Sequence, residues 1–492
     1  ELRRQFFTAD TACVRGRIEG YSRSQGYSTM LYNRCEPTTG ERVPLVVDIR
    51  EDGTFEFRFW AWYPVEGALL IEGKDFRKWL NFYAVPGQTT EMVMRADGSV
   101  SCASVPSGPF GRKRSLEHGV SELCAYPYDE FSAVSDSLGF KDFTENAMRR
   151  MRERLRAVDY VAWRFGYTPW ERHLAKCQTR LVHGMAVFDY EMNQHFSIDW
   201  KMAQEEINKK MAPYRAPANY RFLREMPCND VSVCVLRDLD IFLNRYEFSS
   251  VMRSPAVLTG SMEPDSVAKE DAAMMAVDTA ILRADEPSLL GRLVVLRALS
   301  SDLGRNYSEA PSMYDSIYQN RLAYMNREVL RVQAERLLEQ ACRRNTLTYA
   351  LPDTEGGKLL RRLTEKYRGK YVLIDFWGMF CGPCRSGIER SKPMREALRN
   401  HSDVDFLFIS TEGEGPEENY RKYVDEHLSG EDVVQVSRDD FNRLMELFNF
   451  LGIPHYETLD RMGNVVRSGL RYASEEQFRL HLENLKQQLE RR

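Results

Sequence analysis

No run of apolar residues in this 492-residue chain approaches the roughly 18 that a membrane-spanning helix needs. The sequence opens on Glu1 rather than Met and shows no signal peptide, which fits a mature form whose targeting segment has been removed. An excess of one charge is also missing. Lys and Arg number 68 against 72 Asp and Glu, a net of −4, which argues against nucleic acid as the main partner. HExxH zinc helices, GxxxxGK(S/T) phosphate loops and GxSxG nucleophile elbows are all absent, so three common catalytic frames are excluded. No repeat of fixed period and no low-complexity tract stands out. Cysteine is too scattered for a small disulfide scaffold: the 10 residues run from Cys13 to Cys384. The eight outside one close pair could be joined in about 105 ways, with Cys228 and Cys234 as one candidate bridge.

What is present concentrates in Tyr371 to Cys384, YVLIDFWGMFCGPC. Tyr371-Val372-Leu373-Ile374 is a short apolar run that suits a strand buried on both faces. Arg385 to Asn400 reads as a helix, with Pro393 placed to kink it. Cys381 and Cys384 therefore fall at a strand-to-helix junction. A helix N-terminus carries unsatisfied N–H groups and partial positive charge, which favours a thiolate over a thiol. Cys381 should attack a disulfide, and Cys384, deeper in the helix, should resolve the mixed disulfide. Gly382 and Pro383 hold the sulfurs close, and a proline costs little in a first turn. No second C-x-x-C completes a four-cysteine zinc site.

Ile374-Asp375-Phe376-Trp377-Gly378-Met379-Phe380-Cys381-Gly382-Pro383-Cys384 resembles the core of the thioredoxin superfamily, closest to exported oxidoreductases of the TlpA/ResA type. Gly452-Ile453-Pro454 resembles that family's cis-proline loop. The resemblance covers about residues 345–492. It implies that Asp375 is the buried acid that moves the proton of Cys384. It implies that Trp377, Gly382, Pro383, Ile453 and Pro454 meet the client, with a cis Ile453–Pro454 bond packed against the cysteines. Phe380 stands where the family usually has Trp, and His455, next to the proline, is read as packing. The Gly-Pro dipeptide and Asp375 resemble thioredoxin, near roughly −270 mV, more than the oxidant DsbA, near roughly −120 mV.

The rest of the chain reads as two further parts. Val47 and Ile49, then Phe55, Phe57 and Phe59, alternate with polar residues around Asp52-Gly53, a hairpin signal. With strands expected at Val14–Tyr21, Gly67–Gly73 and Thr90–Met94, and a turn at Asp97-Gly98, this resembles an antiparallel β-sandwich. Trp60, Trp62 and Tyr63 read as packing, and Arg112-Lys113-Arg114 as a solvated linker. Residues 136–345 read as helices, at Phe143–Phe165, Trp200–Met211, Val231–Tyr246, Ala273–Arg283 and Met325–Arg344. His173, His183 and His195 there read as structural.

The expectation is a multidomain α+β protein: a β-sandwich (1–113), a mainly helical region (114–345) and a thioredoxin-like α/β domain (346–492). Its function would be thiol–disulfide exchange on cysteine-containing client proteins, with no metal or organic cofactor. The resemblance implies export to the periplasm or envelope of a Gram-negative bacterium and a membrane thiol donor of the DsbD/CcdA kind. Two other readings stay open. One is an envelope ligand- or partner-binding protein with an accessory redox domain. The other is a thioredoxin-like peroxidase.

Overall fold

Alternation of apolar and polar residues builds two four-stranded sheets from the first hundred residues. The computed structural model describes residues 6–490, apart from 74–75, 96–98, 105, 114, 116–119, 199–200, 255–259, 308–309, 345, 400, 414 and 468. Strands β1 (Asp10–Ile18), β4 (Thr54–Ala61), β7 (Thr89–Met94) and β8 (Val100–Ser104) form one sheet, in the order β4-β1-β7-β8. The other, ordered β3-β2-β5-β6, contains β2 (Thr29–Glu36), β3 (Glu41–Asp48), β5 (Val65–Glu72) and β6 (Arg77–Ala84). Val14, Phe55 and Phe59 of the first sheet meet Met30, Val47 and Phe82 of the second in one apolar cluster.

Three expectations for this part need correction. Arg112 is not a solvated linker residue: it is 2% exposed, pairs with Glu66 and donates to the Ser115 hydroxyl. The sheets are not wholly antiparallel, because β1 and β7 pair in parallel. The chain builds the whole second sheet between those two strands, so β7 returns to β1 running the same way. The Asp52-Gly53 turn is real, with Gly53 at φ 79° and its N–H on the Arg50 carbonyl at 2.9 Å. It does not close a hairpin, however: β3 and β4 lie in opposite sheets, linked by an isolated Ile49–Phe55 bridge. Val47, Ile49 and Phe55 all bury their side chains in the shared core. A turn that must bring those side chains face to face carries the chain across the core instead of along one sheet. The Asp97-Gly98 turn and Arg114 lie outside the described residues.

Helices dominate the described residues between 120 and 343. Phe140–Phe165 puts Phe143, Ala147, Met151 and Val158 on a buried stripe and stops at Gly166, in the left-handed region. Pro264–Leu282 and Glu328–Arg343 fall where helices are expected. The second expected helix is Gln204–Arg215, and Trp200 lies outside the described residues. Val231–Tyr246 resolves into a 3-10 turn, Val231–Val235, and a helix, Asp238–Glu247. Pro169–Phe196 is a further long helix that periodicity does not reveal. It buries Gln178, Thr179, His183 and Gly184 along with its apolar residues, so no single stripe marks it. Cys228 and Cys234 are buried free thiols, which corrects the candidate bridge between them.

The C-terminal sheet has the order β12-β11-β10-β13-β14-β9. Its centre is β10 (Tyr371–Phe376), buried along its whole length. Strands β11 (Val404–Thr411) and β12 (Asp432–Val436) run parallel to it, each reached through a helix. Strands β13 (His455–Leu459), β14 (Val465–Val466) and β9 (Thr348–Tyr349) add antiparallel. On one face, Val372, Ile374 and Phe376 share a cluster with Phe441 and Met445, which also takes in Leu31 and Leu70 of the N-terminal sheet. On the other face, Leu373 and Trp377 pack with Cys384 and Ile388. No helix among the described residues is long and apolar enough to cross a membrane.

Candidate active site around Cys381 and Cys384

Strand β10 delivers the chain to the site. The Trp377 N–H still bonds to the Ile409 carbonyl at 3.0 Å, and the backbone then leaves the sheet and starts the Gly382–Leu398 helix. Cys381 is the N-cap of that helix, with extended backbone at φ −88° and ψ 96°. Its sulfur accepts the Cys384 N–H at 3.1 Å, and its carbonyl accepts the Arg385 N–H at 3.1 Å. Pro383 sits in the first turn, where no N–H is needed. The helix continues through Pro393 to Leu398.

The two sulfurs are joined in a disulfide, with Cα atoms 5.2 Å apart. Their exposure differs. Cys381 is half-buried, Gly382 and Pro383 are exposed, and Cys384 is fully buried. An incoming sulfur can therefore reach Cys381 and not Cys384. Phe380, at 81% the most exposed large apolar side chain among the described residues, lies beside the pair.

Side chains alternate along a strand. Leu373, Asp375 and Trp377 therefore share the face of β10 that packs on Cys384. Asp375 is 1% exposed. Its Oδ2 accepts the Tyr472 hydroxyl at 2.9 Å, and its Oδ1 has no partner in the structure. Burial pushes its carboxyl up to about 7, while the Tyr472 hydrogen bond and the Arg395 charge pull the other way. The acid can thus hold or release a proton near neutral pH. Tyr456, paired with Asp375 across β10 and β13, packs edge-on against Tyr472, with ring centroids 5.2 Å apart. Its hydroxyl lies against Gly387 of the active-site helix: a Cβ there would come within 3.2 Å of it.

Other expected site residues fall as follows. The Ile453–Pro454 peptide is cis. Ile453 is half-buried and packs against the cluster that holds Cys384, and Pro454 is exposed. Trp377 does not reach the surface. It is fully buried, stacked on Tyr420 at 5.5 Å and beside Tyr423 at 5.6 Å, so its expected contact with a client is withdrawn. Its position at the end of a buried strand turns the ring into the core. His455 alternates to the opposite face of β13. It stacks on Phe450 at 4.1 Å and meets Glu457 at 2.7 Å, turned away from the sulfurs.

Tyr472, Tyr456 and Arg395 are missing from the sequence reading. Tyr472 is 97 residues from Asp375, and no spacing rule links a loop tyrosine to an acid at that distance. Trp60 and Trp62 line a cavity of about 1530 Å3 together with His455 and Glu457, whereas Tyr63 is core.

Part of the chain has relatives of known chemistry. Over about a quarter of its length it is similar to thioredoxin-like thiol–disulfide oxidoreductases, whose general reaction is exchange between dithiols and disulfides. The sequence is 29% identical over 141 residues to the thiol–disulfide oxidoreductase ResA of Geobacillus thermodenitrificans, a match covering 28% of this chain and 74% of that protein. Among solved structures, the thioredoxin domain of a thiol–disulfide oxidoreductase from Bacteroides vulgatus is 26% identical. That match covers 25% of this chain and 83% of that one, with a TM-score of 0.21. StoA from Bacillus subtilis is 18% identical over 24% of this chain and 84% of that one, with a TM-score of 0.20. No protein-family model matches the chain.

Proposed function

We propose that the protein reduces disulfides in client proteins with the Cys381–Cys384 pair. The observation that carries this reading is the difference in access between two bonded sulfurs at one helix start, with a carboxyl poised near 7 on the same face. In the dithiol form, the Cys381 thiolate attacks a client disulfide. A Cys381–client S–S bond forms, and the displaced client sulfur leaves as a thiolate that takes up a proton. Cys384 then gives its proton to Asp375 and attacks the Cys381 sulfur. The client leaves with both sulfurs reduced, and the Cys381–Cys384 bond holds the oxidising equivalents. A thiol donor returns two electrons and two protons. By resemblance, we assign that role to a membrane thiol carrier of the DsbD/CcdA kind, and the setting to the periplasm or envelope of a Gram-negative bacterium.

The client would lie across Gly382, Pro383 and Phe380 and against Ile453-Pro454, adding an extended segment to the Ile453 backbone. Exposure of Phe380, Gly382, Pro383 and Pro454 supports that surface. We take the chain to work as three parts: a sandwich (1–113), a helical region (114–345) and the redox domain (346–492). The first two would hold the third and present clients to it.

Insulin reduction tests the reading. The wild-type protein with a thiol donor should turn over, and Cys381→Ser should fall to the uncatalysed rate. The redox potential should lie nearer roughly −270 mV than roughly −120 mV. Rapid peroxide consumption without insulin reduction would replace this reading with a peroxidase.

A further inference from the structure

We propose that His173, Cys177 and Asp230 form a binding site for one zinc-class divalent cation, independent of the redox pair. The Pro169–Phe196 helix places His173 and Cys177 four residues apart, on one face. Asp230 comes from the N-cap of the Val231–Val235 turn, 53 residues further on. The donor atoms converge. His173 Nε2 lies 3.6 Å from Cys177 Sγ and 2.9 Å from Asp230 Oδ2, and Sγ to Oδ2 is 3.9 Å.

Those separations are close to the edges of a metal tetrahedron. Zinc bonds of about 2.0 Å to nitrogen and oxygen and about 2.3 Å to sulfur give edges of roughly 3.3–3.6 Å at tetrahedral angles. No edge here has to change by more than about 0.5 Å. A mixed nitrogen, sulfur and oxygen set suits zinc or cobalt, whereas magnesium and calcium prefer oxygen alone.

The surroundings are already arranged for a ligand role. Asp230 Oδ1 accepts the Ser232 N–H at 3.0 Å and the Ser232 hydroxyl at 2.7 Å. Those two bonds fix the carboxylate so that Oδ2 faces the histidine and the thiol, the task of an outer-shell partner. The Ser232 hydroxyl also lies 2.8 Å from His173 Nε2, a contact the cation takes over on binding, while its bond to Oδ1 remains; the fourth position falls to water or a small anion. Asp230 also lines a cavity of about 560 Å3, with Arg224, Asn229 and Arg327 among its other walls, and the His173 side chain is 45% exposed. A cation and its fourth ligand therefore have a way in. On binding, the Cys177 S–H bond breaks, the proton goes to solvent and a sulfur–metal bond forms, while the cation stays divalent.

The test uses the full chain, stripped with chelator, with the Cys381–Cys384 disulfide intact so that this pair cannot compete. Titration with zinc should give one ion per chain and raise the thermal midpoint. Cobalt should give the thiolate-to-metal absorption band. Cys177→Ser should remove the band. His173→Gln, at a partly exposed position that leaves the core untouched, should weaken zinc binding at least tenfold. Ser232→Ala should weaken it about 10–100-fold. Cys342→Ser, at an exposed free thiol, should change nothing. Failure to bind zinc, or a cobalt band that survives Cys177→Ser, would overturn the site and leave a hydrogen-bonded cluster only.

Discussion

At Asp375, one buried carboxyl connects the chemistry to stability. Its pKa of about 7 in the fold compares with about 3.8 in the unfolded chain. Because the folded value is raised, the folded state binds the extra proton, and stability falls as pH rises from about 4 through about 7. At about 1.4 kcal/mol per unit, the loss approaches about 4 kcal/mol by pH ~8. Asp375→Asn keeps an acceptor for Tyr472 and removes the charge. It should match wild type in urea unfolding at pH ~4 and exceed it at pH ~8. The same variant should slow the resolving step at Cys384 more than the first attack by Cys381, read by stopped-flow formation and decay of the mixed disulfide. Equal slowing of both steps would remove the proton-transfer role. Burial keeps four other thiols out of this chemistry, pushing Cys124 up to about 11 and Cys35, Cys228 and Cys234 higher still.

The active-site helix is the next scale, and what holds it is a buried ion pair. Arg395 is 1% exposed. It meets Glu431 at 2.7 Å, donates to the Ile388 and His427 carbonyls at 2.9 and 3.2 Å, and lies over the Phe408 ring. This fastens the helix that begins at Cys381 to the loop before β12. Removing one partner leaves an uncompensated buried charge, which typically costs about 3–5 kcal/mol. Glu431→Ala should therefore lower unfolding stability by that order, and Arg395→Met with Glu431→Leu should recover most of it. A loss in the double variant as large as in the single would show that packing, not charge, fixes the helix. Elements also show what is legible in sequence. Residues 371–384 can be read because strand, cap and helix start are contiguous and their signals are local. The Asp52-Gly53 turn can be read as a turn, but which sheet receives the next strand is decided by burial of Val47 and Phe55 against distant partners. His173 and Cys177 show helical spacing, yet only the fold brings Asp230 to them.

Across the whole molecule, the C-terminal sheet is built against the N-terminal one. Asp439, at the start of the Arg438–Phe448 helix, accepts the Ser28 N–H at 2.9 Å, the Ser28 hydroxyl at 2.6 Å and the Thr29 hydroxyl at 2.5 Å. Glu446 accepts the Val46 N–H at 2.9 Å, and Arg443 meets Asp48 at 2.6 Å. Beneath these contacts, Leu31 and Leu70 join Phe441 and Met445 in one apolar cluster. The redox site and the sandwich sheet should thus unfold together. Asp439→Ala with Glu446→Ala removes four hydrogen bonds to charged acceptors, each worth about 1.5–3 kcal/mol. That variant should split one calorimetric transition into two. A single transition with an unchanged midpoint would mean that the contact carries no coupling.

The central claim is that Cys381 attacks and Cys384 resolves. Intact-mass analysis after mixing the reduced protein with a disulfide-bonded peptide tests it most directly, with Cys342→Ser in every variant to remove an exposed free thiol outside the site. Cys384→Ser should gain the mass of one peptide half, and that adduct should persist. Wild type should release it and return to its own disulfide, and Cys381→Ser should gain nothing. A stable adduct on Cys381→Ser, or none on Cys384→Ser, would contradict the account.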